Sequence, residues 1–516
     1  MAPGVMAVQG GAGNDFPAKL TSQVVICSII AAFGGLMFGY DIGISGGVTS
    51  MDDFLLKFFP SVYRKKHEAR ENNYCKYDNQ MLQLFTSSLY LAAVVFSFVA
   101  AKICTRFGRR MAMRLAAAAF GIGVILNIFA RNVVMLIVGR LFLGAGVGMG
   151  NQAVPLFISE IAPARYRGGL NISFQMLITI GILCANIINY FTSKIHPNGW
   201  RWSLGGAAVP AVFLLFGSLI IVETPASLIE RGKNEEGLKT LRKIRGVEDV
   251  QKEYDEIVEA TETAKKIKSP FKTLMKRSSR PQLICGTIIH FFQQFTGINV
   301  VMFYAPVLFQ TMGLGSDASL MSAVITGSIN VVSTIAAILL VDKVGRKGLL
   351  IEGALQMLVS QVAIGAILMT NLTATNAITK PYAYVVIILI SVFVAGFAWS
   401  WGPLCWLISS EIYPLETRTT GFFFAVSMNM VCTFIIAQAF LTMLCHMKSS
   451  IFFFFAVLIL IMGSYIKIFL PETKGIPIDE MNERAWKKHW HWKKYFIDGP
   501  IDEEAAPKGD HQKEDL

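Results

Sequence analysis

The chain has 516 residues, of which 53% are hydrophobic and only 16% are charged, whereas soluble domains carry about 25% charged residues. This composition excludes an ordinary water-soluble globular protein and indicates a membrane protein. The formal net charge of +12 is compatible with nucleic-acid binding. However, the basic residues lie in short segments between apolar runs, which argues against a nucleic-acid partner.

Apolar runs near 20 residues long recur along the chain, and this is the length that a helix needs to cross roughly 30 Å of hydrocarbon. Backbone groups in lipid must be hydrogen-bonded internally, so these runs are predicted to be helices. We predict twelve membrane helices, at 22–43, 83–101, 111–130, 134–157, 170–192, 202–222, 283–310, 318–341, 349–370, 383–409, 419–441 and 449–470. The predicted fold is an all-α polytopic membrane protein.

Polar segments separate these helices into two sets of six. The predicted parts are an N-terminal tail at 1–21, a first half at 22–222, a linker with short amphipathic helices at 223–281, a second half at 282–470 and a charged tail at 471–516. The first half includes a long loop at 44–82. Its apolar residues Phe54, Leu55, Phe58 and Phe59 fit either a small helical lid or a passive linker.

The basic residues are distributed unequally between the two predicted sides of the membrane. If both termini share one side, that side carries 34 of the 47 Lys and Arg, the opposite side carries 11, and Arg140 and Lys467 lie within helices. The positive-inside rule then places both termini in the cytoplasm.

Three phrases of the first half recur in the second. Arg106-Phe-Gly-Arg-Arg110 recurs as Lys343-Val-Gly-Arg-Lys347, Glu160-Ile-Ala-Pro-Ala-Arg-Tyr-Arg167 recurs as Glu411-Ile-Tyr-Pro-Leu-Glu-Thr-Arg418, and Glu223-Thr-Pro225 recurs within Pro471-Glu-Thr-Lys-Gly475. Each phrase follows an apolar run. Internal duplication in a membrane chain is typical of transporters, whose substrate site lies between the halves.

Two of the eight cysteines, Cys75 and Cys445, fall outside the membrane on the predicted oxidising face. They suggest a disulfide that joins the halves, with two unpaired thiols as the alternative. The other cysteines show no metal-ligand spacing, so no metal site is predicted.

Several phrases together resemble the sugar porter family of the major facilitator superfamily, from about residue 24 to 475. They are Arg106-Phe-Gly-Arg-Arg110, Gly139-Arg-Leu141, Gln293-Gln-Phe-Thr-Gly-Ile-Asn299, Gly402-Pro403 and Pro471-Glu-Thr-Lys-Gly475. Phe38–Ser50 and Asp78–Ser88 are similar, more narrowly, to plant sugar transport proteins, the proton-coupled monosaccharide symporters. The resemblance implies a major facilitator fold with two six-helix halves. It also implies alternating access around a central hexose site in the plasma membrane.

Sugar hydroxyls need partners that both donate and accept hydrogen bonds, and amides do both at a lower desolvation cost than a charge. With the resemblance, the candidate sugar-binding residues are Gln175, Gln293, Gln294, Asn299, Asn330, Asn429 and Trp406, with Phe38 and Ile42 as pocket walls. We expect a helix break at Gly297 to re-aim the amides around it. The alternative is that these amides join helices to one another.

Two charges, Asp41 and Arg140, lie within predicted membrane helices, where charges are costly and usually functional. Desolvation favours a protonated carboxyl, whereas a nearby arginine favours the carboxylate. We therefore predict that Asp41 carries the coupling proton and that Arg140 is its partner; a fixed structural ion pair is the alternative. Facilitative carriers of the family lack this carboxylate, so Asp41 favours symport over uniport.

The resemblance gives the duplicated charges a role as a salt-bridge latch across the cytoplasmic mouth. The predicted latch residues are Arg106, Arg109, Arg110, Glu160, Arg167, Lys343, Arg346, Glu411 and Arg418. Positive-inside anchoring is the alternative, but it explains the Lys and Arg and not the two Glu.

The predicted function is proton-coupled import of a monosaccharide, with glucose or a related hexose as substrate. A hexose uniporter and a non-transporting sugar sensor are the alternatives. No catalytic motif is found, so an enzyme is not expected, and neither is a cofactor beyond the coupling ion H+. The expected partners are the sugar, protons and the lipid bilayer, with the monomer as the working unit. Asn371-Leu-Thr373 fits a glycosylation acceptor, and His290 is interpreted as a packing residue.

Overall fold

The computed structural model describes residues 19–67, 74–163, 166–266, 270–311, 314–371, 378–414, 417–474, 476 and 481–496. Within these ranges every regular element is helical, which agrees with the all-α prediction. The α-helices are α1 Ser22–Ser50, α2 Asp52–Phe58, α3 Pro60–His67, α4 Gln80–Phe107, α5 Arg109–Ile128, α6 Val133–Ile161, α7 Arg167–Thr192, α8 Gly199–Gly206, α9 Ala208–Ile220, α10 Pro225–Glu230, α11 Asn234–Arg245, α12 Gln251–Lys266, α13 Pro270–Met275, α14 Arg280–Gln294, α15 Ile298–Thr311, α16 Ser316–Val344, α17 Arg346–Asn371, α18 Lys380–Trp399, α19 Trp401–Glu411, α20 Arg418–Met447 and α21 Ser450–Phe469.

Among the described residues, eleven helical segments are long and apolar enough to cross a membrane. They are α1, α4, α5, α6, α7, α8 with α9, α16, α17, α18 with α19, α20 and α21. The one predicted span missing from this set, the seventh at 283–310, is two helices, α14 and α15, separated by Phe295–Gly297. Gly297 has a φ of +86°, a conformation that glycine adopts without steric cost. The expected break is therefore present at this residue.

Helix α1 continues to Ser50, seven residues beyond its predicted end. The prediction stopped early because Ser45, Thr49 and Ser50 resemble loop residues. Each hydroxyl instead donates within α1: Ser45 Oγ to Asp41 O at 2.9 Å, Thr49 Oγ1 to Ser45 O at 2.7 Å and Ser50 Oγ to Gly47 O at 2.7 Å. These bonds satisfy the polar side chains, so the helix extends into the predicted loop.

The segment after α1 is helical and packed in its described part, as a lid would be and a passive linker would not. Phe54 of α2 is fully buried. Its ring centroid lies 5.3 Å from that of Phe85 in α4 and 5.9 Å from that of Trp200 in α8. Aromatic packing of this kind fixes α2 onto the first half of the bundle.

The most extensive contacts between the two halves are those of α4 with α20 and of α7 with α16. Polar contacts support the first pair: Ser87 Oγ donates to Gln438 Oε1 at 2.6 Å, and Gln83 Nε2 donates to Thr442 Oγ1 at 3.0 Å. The predicted disulfide between Cys75 and Cys445 is present and joins the halves at the same end. We call this the disulfide end.

The opposite end carries the duplicated charged phrases, and we call it the charged end. The linker helices pack there against the first half. Arg245, the last residue of α11, donates through Nη1 to Ile161 O at 2.7 Å and forms an ion pair with Glu253 of α12 at 2.6 Å. The C-terminal segment covers the end of α21, where Trp492 Nε1 donates to Phe469 O at 2.6 Å.

Candidate functional site

The helix break between α14 and α15 brings two of the predicted amides together. Gln294 is the last residue of α14, and Asn299 is the second residue of α15. The Asn299 Nδ2 group donates to Gln294 Oε1, and it lies 3.4 Å from Thr433 Oγ1 of α20. A continuous helix would not align residues five apart, so the break at Gly297 creates this polar pair.

Gln293 points towards α19 and α20. Its Nε2 donates to Trp401 O at 3.0 Å and to Gly402 O at 3.1 Å, and its Oε1 accepts from Asn429 Nδ2 at 2.8 Å. The two predicted amides Gln293 and Asn429 are therefore in direct contact. Both side chains are almost fully buried.

Trp406 lies between the halves at the same level. Its ring is 4% exposed. The ring centroid is 5.7 Å from that of Phe174 in α7, in an edge-to-face arrangement. Gln175, the next residue of α7, places its Nε2 3.3 Å from where a Cβ on Gly402 would lie. The predicted residues of α7 and α19 thus face one another across the interface.

The remaining predicted pocket residues are also buried. Asn330 of α16 has an Oδ1 atom that is buried and accepts no hydrogen bond from the described residues, while its Nδ2 lies 3.8 Å from the Met302 sulfur. A buried amide oxygen that accepts no hydrogen bond is unusual in a native protein. Asn330 Oδ1 is therefore placed to accept from a ligand or a water molecule. Phe38 and Ile42 of α1 are 7% and 5% exposed.

The two intramembrane charges form one ion pair between α1 and α6. Arg140 Nη1 contacts Asp41 Oδ1, and Arg140 Nη2 donates to Ser45 Oγ at 2.9 Å. The guanidinium also lies 4.2 Å from the centroid of the Phe85 ring. Asp41 is 1% exposed and Arg140 is 0% exposed, so the pair is shielded from solvent. Its role in proton coupling stays a prediction.

The charged end of the first half carries a compact ion cluster. Arg109 contacts Glu160 at 2.9 Å and Glu230 at 2.8 Å, and Thr224 Oγ1 donates to Glu160 Oε2 at 2.5 Å. The carboxylate of Glu223 accepts from the backbone N–H groups of Arg109 and Arg110, each at 3.2 Å.

The second half repeats the contacts made among Arg109, Glu160, Glu223 and Thr224. Arg346 contacts Glu411 at 3.3 Å, Thr473 Oγ1 lies 3.5 Å from Glu411 Oε2, and Glu472 accepts from the N–H groups of Arg346 and Lys347, each at 3.1 Å. Gly108 and Gly345, at φ of +96° and +97°, make the same turn before each arginine. The duplicated phrases therefore encode duplicated geometry.

Burial raises the pKa of Glu223 above its usual value. The backbone N–H of Thr224, the guanidinium groups of Arg109 and Arg231 and the backbone N–H of Arg110 favour the ionised form and offset part of that shift. At the disulfide end, burial raises the pKa of Tyr77 well above its usual value, so its hydroxyl remains a donor to Gln310 Oε1 of α15.

The described ion pairs of the charged end lie within each half rather than across the halves. The contacts that do cross include Asn171 Nδ2 to Ser410 Oγ at 3.0 Å and Gln152 Nε2 to Thr419 O at 3.1 Å. Arg167 of α7 is repelled by Arg418 and attracted by Glu411, both of the second half.

Four of the predicted latch residues form no side-chain ion pair within the described part of the chain: Arg106, Arg110, Arg167 and Lys343. The Arg110 guanidinium instead donates to Ser218 O at 2.8 Å. Arg106 is exposed, with its guanidinium 5.4 Å from the Phe107 ring. Lys343 is exposed as well, and its carbonyl accepts from Lys474 Nζ at 2.8 Å. The glycosylation prediction also stays untested: Asn371 ends α17, its Nδ2 donates to Ile367 O at 3.0 Å, and 372–373 lie outside the described residues.

Sequence reasoning missed two side chains that join the site. Ser45 was assigned to a loop, yet it binds Arg140. His290 was assigned to packing, yet its ring lies 3.2 Å from both Gln293 Oε1 and Asn429 Nδ2. The available signal for His290 was its position three residues before Gln293, which places both on the same face of α14.

Comparison with known proteins gives a consistent result. The family model described as "Sugar (and other) transporter" matches residues 27–485. Sugar transport protein 8 of Arabidopsis thaliana is 62% identical over 494 residues, covering 96% of this chain and 97% of that protein. Sugar carrier protein C of Ricinus communis is 53% identical over 502 residues, covering 96% of each.

The chain also has the fold of solved major facilitator structures. The proton:xylose symporter XylE bound to 6-bromo-6-deoxy-D-glucose aligns with a TM-score of 0.77 at 27% identity, covering 90% of this chain and 99% of that one. The inward-open form of XylE from E. coli aligns with a lower TM-score of 0.68 at 25% identity, covering 89% and 99%. The structure is therefore more similar to the ligand-bound form than to the inward-open form.

Proposed function

Because this chain belongs to the sugar transporter family, we propose that it is a proton-coupled monosaccharide symporter of the plasma membrane, with a hexose as substrate. The relatives are carriers and not enzymes. The names of these relatives support a sugar as the transported molecule, and the likeness to a proton:xylose symporter supports coupling to protons. The observation that carries the coupling is the buried Asp41–Arg140 pair.

The hexose binds between the halves, where the amides converge. Gln175, Gln294, Asn299 and Asn330 supply donors and acceptors to the hydroxyls. The unpaired Asn330 Oδ1 supports this role because a sugar O–H would satisfy it. Trp406 covers the apolar C–H face of the ring.

The coupling proton binds to the Asp41 carboxylate. Protonation neutralises Asp41 and removes the ionic attraction to Arg140, while Ser45 Oγ and the Phe85 ring still hold the guanidinium. The contact between α1 and α6 weakens as a result. Helix α1 packs against α15, which carries Asn299, so the protonation state of Asp41 reaches the sugar site through two packed helices.

The charged end faces the cytoplasm, and the disulfide end faces the outside. The excess of Lys and Arg on the side of the charged end supports this orientation. The duplicated clusters hold the helix ends of each half rigid, and Arg167 with Glu411 draws the halves together when the cytoplasmic mouth is closed. All of these groups belong to one chain, which supports a monomer as the working unit.

Uptake of labelled glucose tests the proposal in cells that lack their own hexose carriers. We expect accumulation above the outside concentration, faster uptake at acidic than at neutral outside pH, and loss of accumulation with a protonophore. Cells with an empty vector supply the background. Uptake that only equilibrates and ignores the protonophore would instead identify a uniporter and leave Asp41 a structural charge.

A further inference from the structure

His290 lies behind the amide network and touches three elements at once. It belongs to α14 and is completely buried. Its Nε2 lies 3.1 Å from Ser409 Oγ of α19, and its Nδ1 lies 3.2 Å from Asn429 Nδ2 of α20. Its ring centroid is 4.9 Å from that of Trp406. Each ring nitrogen therefore has a polar partner within hydrogen-bond distance, one on α19 and one on α20.

The ring hydrogen of His290 can lie on either nitrogen, and the two tautomers use Gln293 Oε1 differently. Asn429 Nδ2 has two hydrogens, and the acceptors within reach are Gln293 Oε1 at 2.8 Å and His290 Nδ1 at 3.2 Å. Nδ1 accepts only if the ring hydrogen is on Nε2, where it donates to Ser409 Oγ. With the hydrogen on Nδ1, the ring would instead donate to Gln293 Oε1 at 3.2 Å, and it would occupy the acceptor that a sugar hydroxyl needs.

The hydrogen bonds of Gln293 also determine which of its atoms can bind a substrate. Both amide hydrogens of Gln293 are used by Trp401 O and Gly402 O, so Gln293 can meet a ligand only through Oε1. One lone pair of Oε1 accepts from Asn429. With the Nε2–H tautomer of His290, the second lone pair remains available to a hydroxyl.

We infer that His290 is a positioning residue for sugar recognition. With its hydrogen on Nε2, His290 donates to Ser409 and accepts from Asn429 through Nδ1, and Asn429 in turn holds Gln293 with Oε1 presented as an acceptor for one sugar hydroxyl. The inference rests on the proposed function and deepens it, because it assigns Gln293 an acceptor-only role and makes that role depend on the imidazole.

Two substitutions separate positioning from packing. His290→Phe keeps an aromatic ring against Trp406 but removes both nitrogens. We expect KM for glucose to rise about fivefold, the effect of one lost hydrogen bond. Vmax should stay within about twofold of wild type. His290→Asn places an amide oxygen near the position of Nδ1, where it can accept from Asn429, and should restore KM to within about twofold. Cys285→Ala, a buried change on α14 next to Tyr465, is the matched control and should leave KM unchanged.

A panel of monodeoxy glucose analogues, measured as competitors of labelled glucose, gives the sharper readout. The ratio of Ki between His290→Phe and wild type should be about five for every analogue except one. For the analogue that lacks the hydroxyl bound by Gln293, it should fall to about one, because the two changes remove the same contact.

The outcomes are distinguishable. A KM for His290→Phe equal to wild type, equal impairment of His290→Phe and His290→Asn, or the same ratio for every analogue would each overturn the inference while leaving hexose transport in place. Absence of hexose uptake by the wild-type protein would instead overturn the proposed function, and this inference with it.

Discussion

At the scale of single residues, the buried charges Asp41 and Arg140 carry a large desolvation cost. Removing two ions from water costs several kcal/mol each in real proteins. Close contact, the hydroxyl of Ser45 and the face of Phe85 offset part of that cost. A pair of apolar residues would hold α1 and α6 together at a lower desolvation cost. The charges therefore suit a functional role better than a purely structural one.

Asp41→Asn tests that role. The amide keeps the size of the side chain and an acceptor for Arg140 but cannot bind a proton, so we expect accumulation to be lost while exchange of labelled for unlabelled glucose persists. Both are measured in the same membranes, normalised to the amount of protein. Asp53→Asn makes the same chemical change in α2, where the carboxylate contacts His196, and should accumulate sugar normally. Full accumulation by Asp41→Asn would remove the proton role.

The Asp41–Arg140 contact could be predicted from the sequence because two opposite charges in apolar helices have few other partners. Ser45 and His290 could not. The partners of Ser45 include a side chain 95 residues away, and those of His290 lie on α19 and α20, 119 and 139 residues along the chain. Which nitrogen meets which amide is set by helix packing and not by local pattern.

At the scale of elements, the break in the seventh span positions the amides. Gly297 supplies a backbone conformation that other residues adopt at a cost, and the Phe455 ring occupies the space where a Cβ would lie, at 3.0 to 3.3 Å. The sequence predicted this break because an unaligned amide cluster surrounds a glycine. It did not predict the length of α1, because hydroxyl groups that bond within a helix look the same in sequence as those of a loop.

Gly297→Ala should destabilise the protein, by about 1–2 kcal/mol for the left-handed backbone alone, and should also weaken sugar binding because Gln294 and Asn299 lose their alignment. Thermal unfolding of the purified protein in detergent, with and without glucose, measures both effects. Gly121→Ala is the matched control, since that helical position has open space around it, and should melt no lower than wild type. An unchanged melting temperature for Gly297→Ala would contradict the role of the break.

At the scale of the whole molecule, two similar halves close on one another at both ends. The duplicated charges predicted a latch across the cytoplasmic mouth, whereas the described ion pairs of Glu160 and Glu411 each lie within one half. The sequence could not show that each arginine would pair inside its own half, because that depends on how far apart the halves stand. Across the halves at the charged end, Arg418 repels Arg167 while Glu411 attracts it, and the Asn171–Ser410 hydrogen bond joins the halves.

Glu411→Gln should therefore favour opening at the charged end. The readout is the rate at which a maleimide labels a cysteine placed at Asn171, a position that is 3% exposed. We expect labelling to be about fivefold faster with Glu411→Gln than with Glu411 intact, which corresponds to about 1 kcal/mol. Glu472→Gln is the control, because the Glu472 carboxylate accepts from backbone N–H groups of its own half. Equal labelling rates for all three proteins would refute a latch that includes Glu411.

The most direct test of proton-coupled sugar transport is the luminal pH of proteoliposomes that contain the purified protein and a pH-sensitive dye, with the membrane potential clamped. Adding glucose outside should acidify the lumen as sugar enters, whichever way the protein is inserted, and Asp41→Asn vesicles should show no acidification. Labelled glucose that enters wild-type vesicles while the luminal pH stays constant would contradict the account.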